Sequence, residues 1–126
     1  MSILFLAIDG DDVGRQLETY IVTNQVEHLT SFFQQFQASM KWLEIMLIDT
    51  YDANILFNGG DNLLATIAQN KFSLSSINMI RSQFSENAHR TLSIGIGTSP
   101  RNAFIALKLA KAGGKDRVEH IGNELL

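Results

Sequence analysis

Residues 2–12 read Ser-Ile-Leu-Phe-Leu-Ala-Ile-Asp-Gly-Asp-Asp. Ile3 to Ile8 is an unbroken apolar run, too short for a membrane span, that stops at a turn cluster of aspartates and glycine. A short run without alternation reads as a strand covered on both faces, and hence as the centre of a sheet. Asp12 is the expected N-cap of a short helix from Val13 to about Tyr20. Further on, Val26, Leu29, Phe33, Phe36, Met40, Leu43 and Leu47 step by three and four residues. That is one apolar stripe on a long helix, read here as core throughout, with Thr23 or Asn24 as its cap.

The remainder alternates in the same style. Residues 53–57 and 63–68 read as strands flanking Asn58-Gly59-Gly60-Asp61-Asn62, a hairpin signal, because glycine tolerates positive φ. Ser73 is expected to cap a helix running to about Asn87. Residues 91–98 form the next strand, and Ser99-Pro100 starts a helix that Gly113-Gly114 ends. Residues 117–121 read as a closing edge strand. The order β-α-α-β-β-α-β-α-β predicts an α/β sandwich, helices on a mixed sheet, in one domain spanning residues 1–126.

The chain has 126 residues, no cysteine and a net charge of −3. The missing cysteines exclude a disulfide scaffold, thiolate zinc sites and a cysteine nucleophile. The acidic balance argues against binding to a nucleic-acid duplex, and the pattern predicts a soluble cytoplasmic protein with no membrane partner. The charge is unevenly spread. Residues 1–61 carry two basic and nine acidic residues, whereas residues 62–126 carry eight basic and four acidic ones. Such a split is a reason to look for a charged ligand between the halves.

Three clusters hold the candidate chemistry: Asp9-Gly10-Asp11-Asp12, Gly59-Gly60-Asp61, and Lys108, Lys111 and Lys115. Taken singly, each has an ordinary structural reading as a turn, a hairpin, or lysines meeting a helix dipole. The first opens like a calcium loop, but Val13 and Tyr20 stand where an EF-hand needs oxygen ligands. His28, His89 and His120 fit no metal spacing. Taken together, a carboxylate ending a central strand beside an acidic hairpin tip calls for a cation. Oxygen-only ligands suit magnesium or manganese.

Phe-Leu-Ala-Ile-Asp9-Gly-Asp, Phe-Asn-Gly59-Gly60-Asp61, Leu-Ser-Ile-Gly95-Ile-Gly97 and Leu-Ala-Lys111-Ala-Gly-Gly-Lys115-Asp-Arg occur in this order over about residues 3–121. In that combination the sequence resembles the GGDEF-like palm-domain nucleotidyl cyclases, and among them most the stand-alone minimal CRISPR polymerase. The resemblance implies a ferredoxin-like palm with a mixed, mainly antiparallel sheet. It implies metal-dependent joining of nucleoside triphosphates into a cyclic di- or oligonucleotide messenger, with release of pyrophosphate. By position, it implies that Asp9, the Gly10 carbonyl and Asp61 hold Mg2+ or Mn2+, with Asp11 as an auxiliary catalytic acid. Gly59, Gly60 and Asn62 would line the nucleotide, and Lys111 and Lys115 would take its phosphates. A homodimer or transient pair would supply two nucleotides, and a separate antiviral effector would receive the product.

Two departures qualify the pattern. Asn62 stands where the family usually has a second acid. The Asn-Asp stretch that diguanylate cyclases use near guanine and an Arg-x-x-Asp upstream of Gly59 are both absent. These absences favour ATP over GTP. A GTP-using diguanylate cyclase and a non-catalytic nucleotide sensor remain the alternatives.

Overall fold

The computed structural model describes residues 2–122; the ends of the expected 1–126 domain lie outside the described residues. Strand β1 (Ile3–Gly10) leads into helices α1 (Val13–Val22) and α2 (Val26–Tyr51). The hairpin β2 (Asn54–Asn58) and β3 (Asn62–Ala68) follows, then a 3-10 turn (Gln69–Lys71) and α3 (Leu74–Ala88). Strand β4 (Leu92–Gly97), α4 (Pro100–Ala112) and β5 (Arg117–His120) complete the order read from the sequence. The sheet runs β2-β3-β1-β4-β5. All pairs are antiparallel except β4 with β5, which is parallel. This is a mixed, mainly antiparallel sheet, and β1 lies at its centre as the apolar run requires.

The two faces of the sheet are covered differently. On one, Leu4, Leu6, Ile8, Leu92, Ile94 and Ile96 pack with Phe36, Met40, Leu43 and Leu47 of α2 and with Ile77 and Phe84 of α3. On the other, α4 lies across β4 and β1. Its approach rests on glycine: a methyl built on Gly95 would run into the backbone of Ala103 and Leu107, and one on Gly97 into Asn102 and Ala103. Ala103, Ala106 and Ala110 supply the matching small face of the helix. Because α4 is a single helix, the β2–β3 side of this face stays open.

Local signals account for most boundaries. The Ser73 hydroxyl accepts from Ser76 N–H and caps α3, and Ser99 accepts from Asn102 N–H and caps α4. Three expectations need correction. Neither Thr23 nor Asn24 caps α2: Thr23 closes α1, its hydroxyl donating to Thr19 O, and Gln25 precedes α2 without a side-chain cap. The apolar stripe of α2 is core only from Phe36 onwards. Val26 is 67% exposed and Phe33 50%; near this end the helix meets Tyr20 of α1 through Phe32 and His28, and Phe32 also lies under the Arg90 guanidinium. Asp12 does precede α1, but in the left-handed region and without capping it. No helix among the described residues is long and apolar enough to cross a membrane.

Candidate active site

Apart from Lys108, the candidate residues gather around the C-terminal end of β1. Side chains alternate along a strand, so Leu4, Leu6 and Ile8 enter the main core while Ala7 and Asp9 face α4. Asp9 pairs across the sheet with Asn62 on β3 and with Ser93 on β4. The next residue, Gly10, donates its N–H to the backbone carbonyl of Asp61 at 2.9 Å, which fastens the hairpin tip to the strand end. A Cβ on Gly10 would come within 2.7 Å of the Phe36 ring, so glycine lets α2 pack directly beneath the site. The hairpin turn closes through Gly59 N–H to Asn62 O at 2.8 Å. Gly60, at φ 96°, accepts from the Gln37 amide and donates to Asn58 Oδ1. A non-glycine residue is rarely held at that φ.

The charge split of the sequence closes here as ion pairs between the two halves of the chain. Lys111, in the last turn of α4, places its ammonium 3.0 Å from Asp9 Oδ2 and 2.6 Å from Asp11 Oδ1, and donates to the Gly10 carbonyl at 3.2 Å. Lys115, beyond the helix end, bonds Asp12 at 2.6 Å. Lys108 stands apart, stacked over the Phe104 ring.

Asp9 and Asp11 differ sharply despite sharing Lys111. The Asp9 side chain is 32% exposed, whereas that of Asp11 is 3% exposed. Asp11 accepts from Lys111, from the hydroxyls of Thr91 (2.7 Å) and Ser93 (2.6 Å), and from Asp116 N–H (3.0 Å). Burial alone pushes the Asp11 carboxyl up, but these four donors together outweigh it and hold the group below the usual carboxylate range. For Lys111, burial acts to lower the pKa, and the bonds to Asp11 and Asp9 reverse this and raise it. The Asp12 carboxyl is lowered mainly by its bond from Lys115. Asp11 is therefore engaged on all sides, while Asp9 and Asp61 keep open faces.

Two clefts end near this point, one at Asn62 and the other at Asp61. The first, of about 480 Å³, runs between α4 and β2 over a floor of Ala7 and Leu64, and ends at Asp9, Asn62 and Lys111. The second, of about 350 Å³, lies between α1 and α2. Leu17, Phe32, Phe33 and Phe36 line its apolar part, and Gln37, Gly59, Gly60 and Asp61 close its end. The sequence reading gave the stripe phenylalanines no role beyond packing; Phe33 and Phe36 here form part of a cleft that reaches Asp61.

Among the described residues, no three Asp, Glu, His or Cys side chains form a ready metal cage. The donors present are the Asp9 and Asp61 carboxylates and the Gly10 carbonyl, and Asp9 and Gly10 already converge on one cation, the Lys111 ammonium. That set fits a hard divalent ion of the magnesium type, which binds through one or two carboxylates and completes its shell from substrate phosphates and water.

Comparison with known proteins agrees with this fold. The chain matches the minimal CRISPR polymerase (mCpol) domain over residues 5–121. No curated protein sequence matches it. Among solved structures, it superposes on the GGDEF domain of DgcB from Caulobacter crescentus in complex with c-di-GMP, with a TM-score of 0.67 and 15% identity, over 94% of this chain and 77% of that one. The active GGEEF domain of a diguanylate cyclase from Vibrio cholerae gives a TM-score of 0.67 at 15% identity, over 98% and 85% of the two chains. A Csm1–Csm4 cassette in complex with one ATP gives 0.70 at 17% identity, over 97% of this chain but 21% of that one. At such identities these structures speak for the fold, and the family match covers nearly all of the chain. The chain belongs to the minimal CRISPR polymerase domain family and shares the fold of the GGDEF domains.

Proposed function

We propose that this palm joins nucleoside triphosphates, ATP in preference, into a cyclic di- or oligonucleotide with release of pyrophosphate. One observation carries the reading. Asp9 and Gly10 end the central strand, Gly10 N–H is bonded to the Asp61 backbone carbonyl, and Lys111 and Lys115 lie within ion-pair distance of Asp9, Asp11 and Asp12. Asp9, Asp61 and the Gly10 carbonyl would hold Mg2+ or Mn2+. Bound there, the ion would supply charge neutralisation for the triphosphate and the departing pyrophosphate.

The chain's own residues do the rest. Lys111 and Lys115 exchange carboxylate partners for phosphate oxygens. Gly59 and Gly60 let the backbone come close to the nucleotide, with Asn62 beside them. The base enters the cleft between α1 and α2, against Leu17, Phe33 and Phe36. Gln37 is at its polar end. An amide can both donate to and accept from one edge of adenine, which supports ATP. One nucleotide-bound precedent is the Csm1–Csm4 cassette with one ATP. A ribose hydroxyl of one nucleotide attacks the α-phosphorus of another; the new O–P bond forms as the bond to pyrophosphate breaks. Each chain offers one such base cleft, so two chains facing each other, as a homodimer or transient pair, bring the two nucleotides together. The product then acts on a separate effector, in antiviral defence.

The test is incubation with each of the four nucleoside triphosphates and Mg2+ or Mn2+, with products read by mass spectrometry. A cyclic product from ATP is expected; a product from GTP alone would return the diguanylate reading. Asp9→Asn and Asp61→Asn should each lower product formation at least about 100-fold with the fold kept, since even residues that only orient metal ligands act on a 10–100-fold scale. Full activity in the double variant would refute the assignment. Asn62 favours a second reading. It sits across from Asp9, where an acid would add a ligand. A folded protein that binds ATP but makes nothing would be a sensor, and Asn62→Asp would be the change to restore turnover.

A further inference from the structure

Three consecutive residues wrap one ammonium. Lys111 Nζ contacts Asp9 Oδ2, the Gly10 carbonyl and Asp11 Oδ1. An ammonium has three N–H donors, so all of them are used. The first two of these oxygens are those that the reading above assigns to the divalent ion, and the third belongs to a carboxylate fixed by Thr91, Ser93 and Asp116.

We propose that Lys111 is the resident cation of the metal seat, tethered by Asp11, and that a bound triphosphate draws it off Asp9 and Gly10, so that nucleotide and divalent ion bind cooperatively. The inference rests on the proposed metal-dependent reading and adds a positioning role for Asp11. Its logic is electrostatic. Two cations cannot share Asp9 and the Gly10 carbonyl without strong repulsion in a partly buried site. Lys111 must therefore move before the seat can be filled. It can move because its stem is flexible and its donors rotate, and Asp11 keeps it close. A phosphate chain offers it replacement oxygens. Asn62 sharpens the competition, since a neutral amide stands opposite Asp9 and no second carboxylate there compensates for two cations. Lys115 also turns to phosphate in that reading but vacates no metal ligand, because the carboxylate it leaves is Asp12.

The experiment is titration of Mn2+ into the full chain, followed by the electron paramagnetic resonance of free Mn2+, with and without a non-hydrolysable ATP analogue. Asp9→Asn with the analogue corrects for Mn2+ that the analogue itself chelates. Lys111→Met, in the absence of nucleotide, should bind Mn2+ about tenfold tighter or more, because the competing charge is gone. Lys111→Arg should bind like the parent chain. The analogue should tighten Mn2+ binding in the parent, and Mn2+ should tighten the analogue by the same factor, since coupling is reciprocal. Both effects should shrink in Lys111→Met. If Lys111→Met leaves Asp11 buried without its cation and fails to fold, Asp11→Asn/Lys111→Met removes both charges and serves the same comparison. Parent Mn2+ binding that Asp9→Asn abolishes, but that neutralising Lys111 does not tighten, would overturn the proposal and leave the metal reading standing. No specific Mn2+ binding in any variant, with or without the analogue, would overturn both.

Discussion

The two faces of the sheet are closed by opposite means. Toward α2 and α3, the strands present Leu and Ile, and the helices answer with Phe36, Phe84, Leu43 and Leu47, all essentially inaccessible. Toward α4, the strands present Ala7, Gly95 and Gly97, and the helix answers with alanines. The first face is closed by volume and the second by backbone proximity. Large buried side chains give stability in proportion to the apolar area removed from water. A helix seated on glycines contributes less area but has almost no freedom of height. That matters because α4 carries Lys111, and a small change in its height would alter three bonds to residues 9, 10 and 11. The first face holds the domain together, and the second sets the height of Lys111.

Truncation on the volume face should give the largest loss of stability. Phe84 is fully buried and packs edge-on against Phe36 at 5.8 Å. Phe84→Ala is expected to lower the unfolding free energy by about 3–5 kcal/mol, the usual range for a buried phenylalanine. Chemical denaturation measures this. The fraction that remains folded should bind an ATP analogue with unchanged affinity. A large affinity loss in the folded fraction would mean that the volume face also sets the site.

A change on the proximity face should do the reverse. Gly95→Ala adds one methyl against immovable backbone, and overpacking of that kind costs about 1–3 kcal/mol. The stability loss is therefore smaller than for Phe84→Ala, but α4 has to rise from β4. Affinity for the ATP analogue should fall several-fold in protein that is still folded. Calorimetry on the folded variant decides: unchanged affinity would break the division of labour between the two faces.

The same contrast explains what could be read in advance. The strand β1, the hairpin and the Ser73 and Ser99 caps were legible because each depends on residues close in sequence. Asp9, Asp61, Lys111 and Lys115 were legible as ordered motifs. The covering of a helix was not: periodicity says that Val26 and Phe33 share a face with Leu43, but not that the two stay exposed. The failed cap at Thr23 has a local cause. Only residues 23–25 separate α1 from α2, and Thr23 is used to finish the first helix. The surroundings of Asp11 were illegible because its hydroxyl partners lie 80 and 82 residues away. One signal was present: Ser93 is a polar residue inside an otherwise apolar and glycine strand. A buried hydroxyl needs a partner, and the Asp11 carboxylate is that partner.

Asp11 also gives the smallest and most specific expected effect, a pH dependence. Its carboxyl is held below the ordinary value of 3.8 in the folded chain. A depressed pKa contributes stability that is complete above the unfolded value and is lost as pH falls through the folded one. Lys111 acts in the opposite direction. Raised above 10.5, it contributes stability that is complete below that value and is lost as pH rises through its folded pKa. Between these limits the pair should contribute a constant amount, and the added loss should begin only below about pH 4. Asp11→Asn removes the titrating group while keeping an acceptor for Ser93 or Thr91. Its melting temperature at neutral pH should be lower than that of the parent, and its decline from pH 4 to pH 2 shallower, so that the two curves converge in acid. Parallel curves would show that the other carboxylates carry the acid sensitivity. The network under α4 would then owe its order to the glycine contact alone.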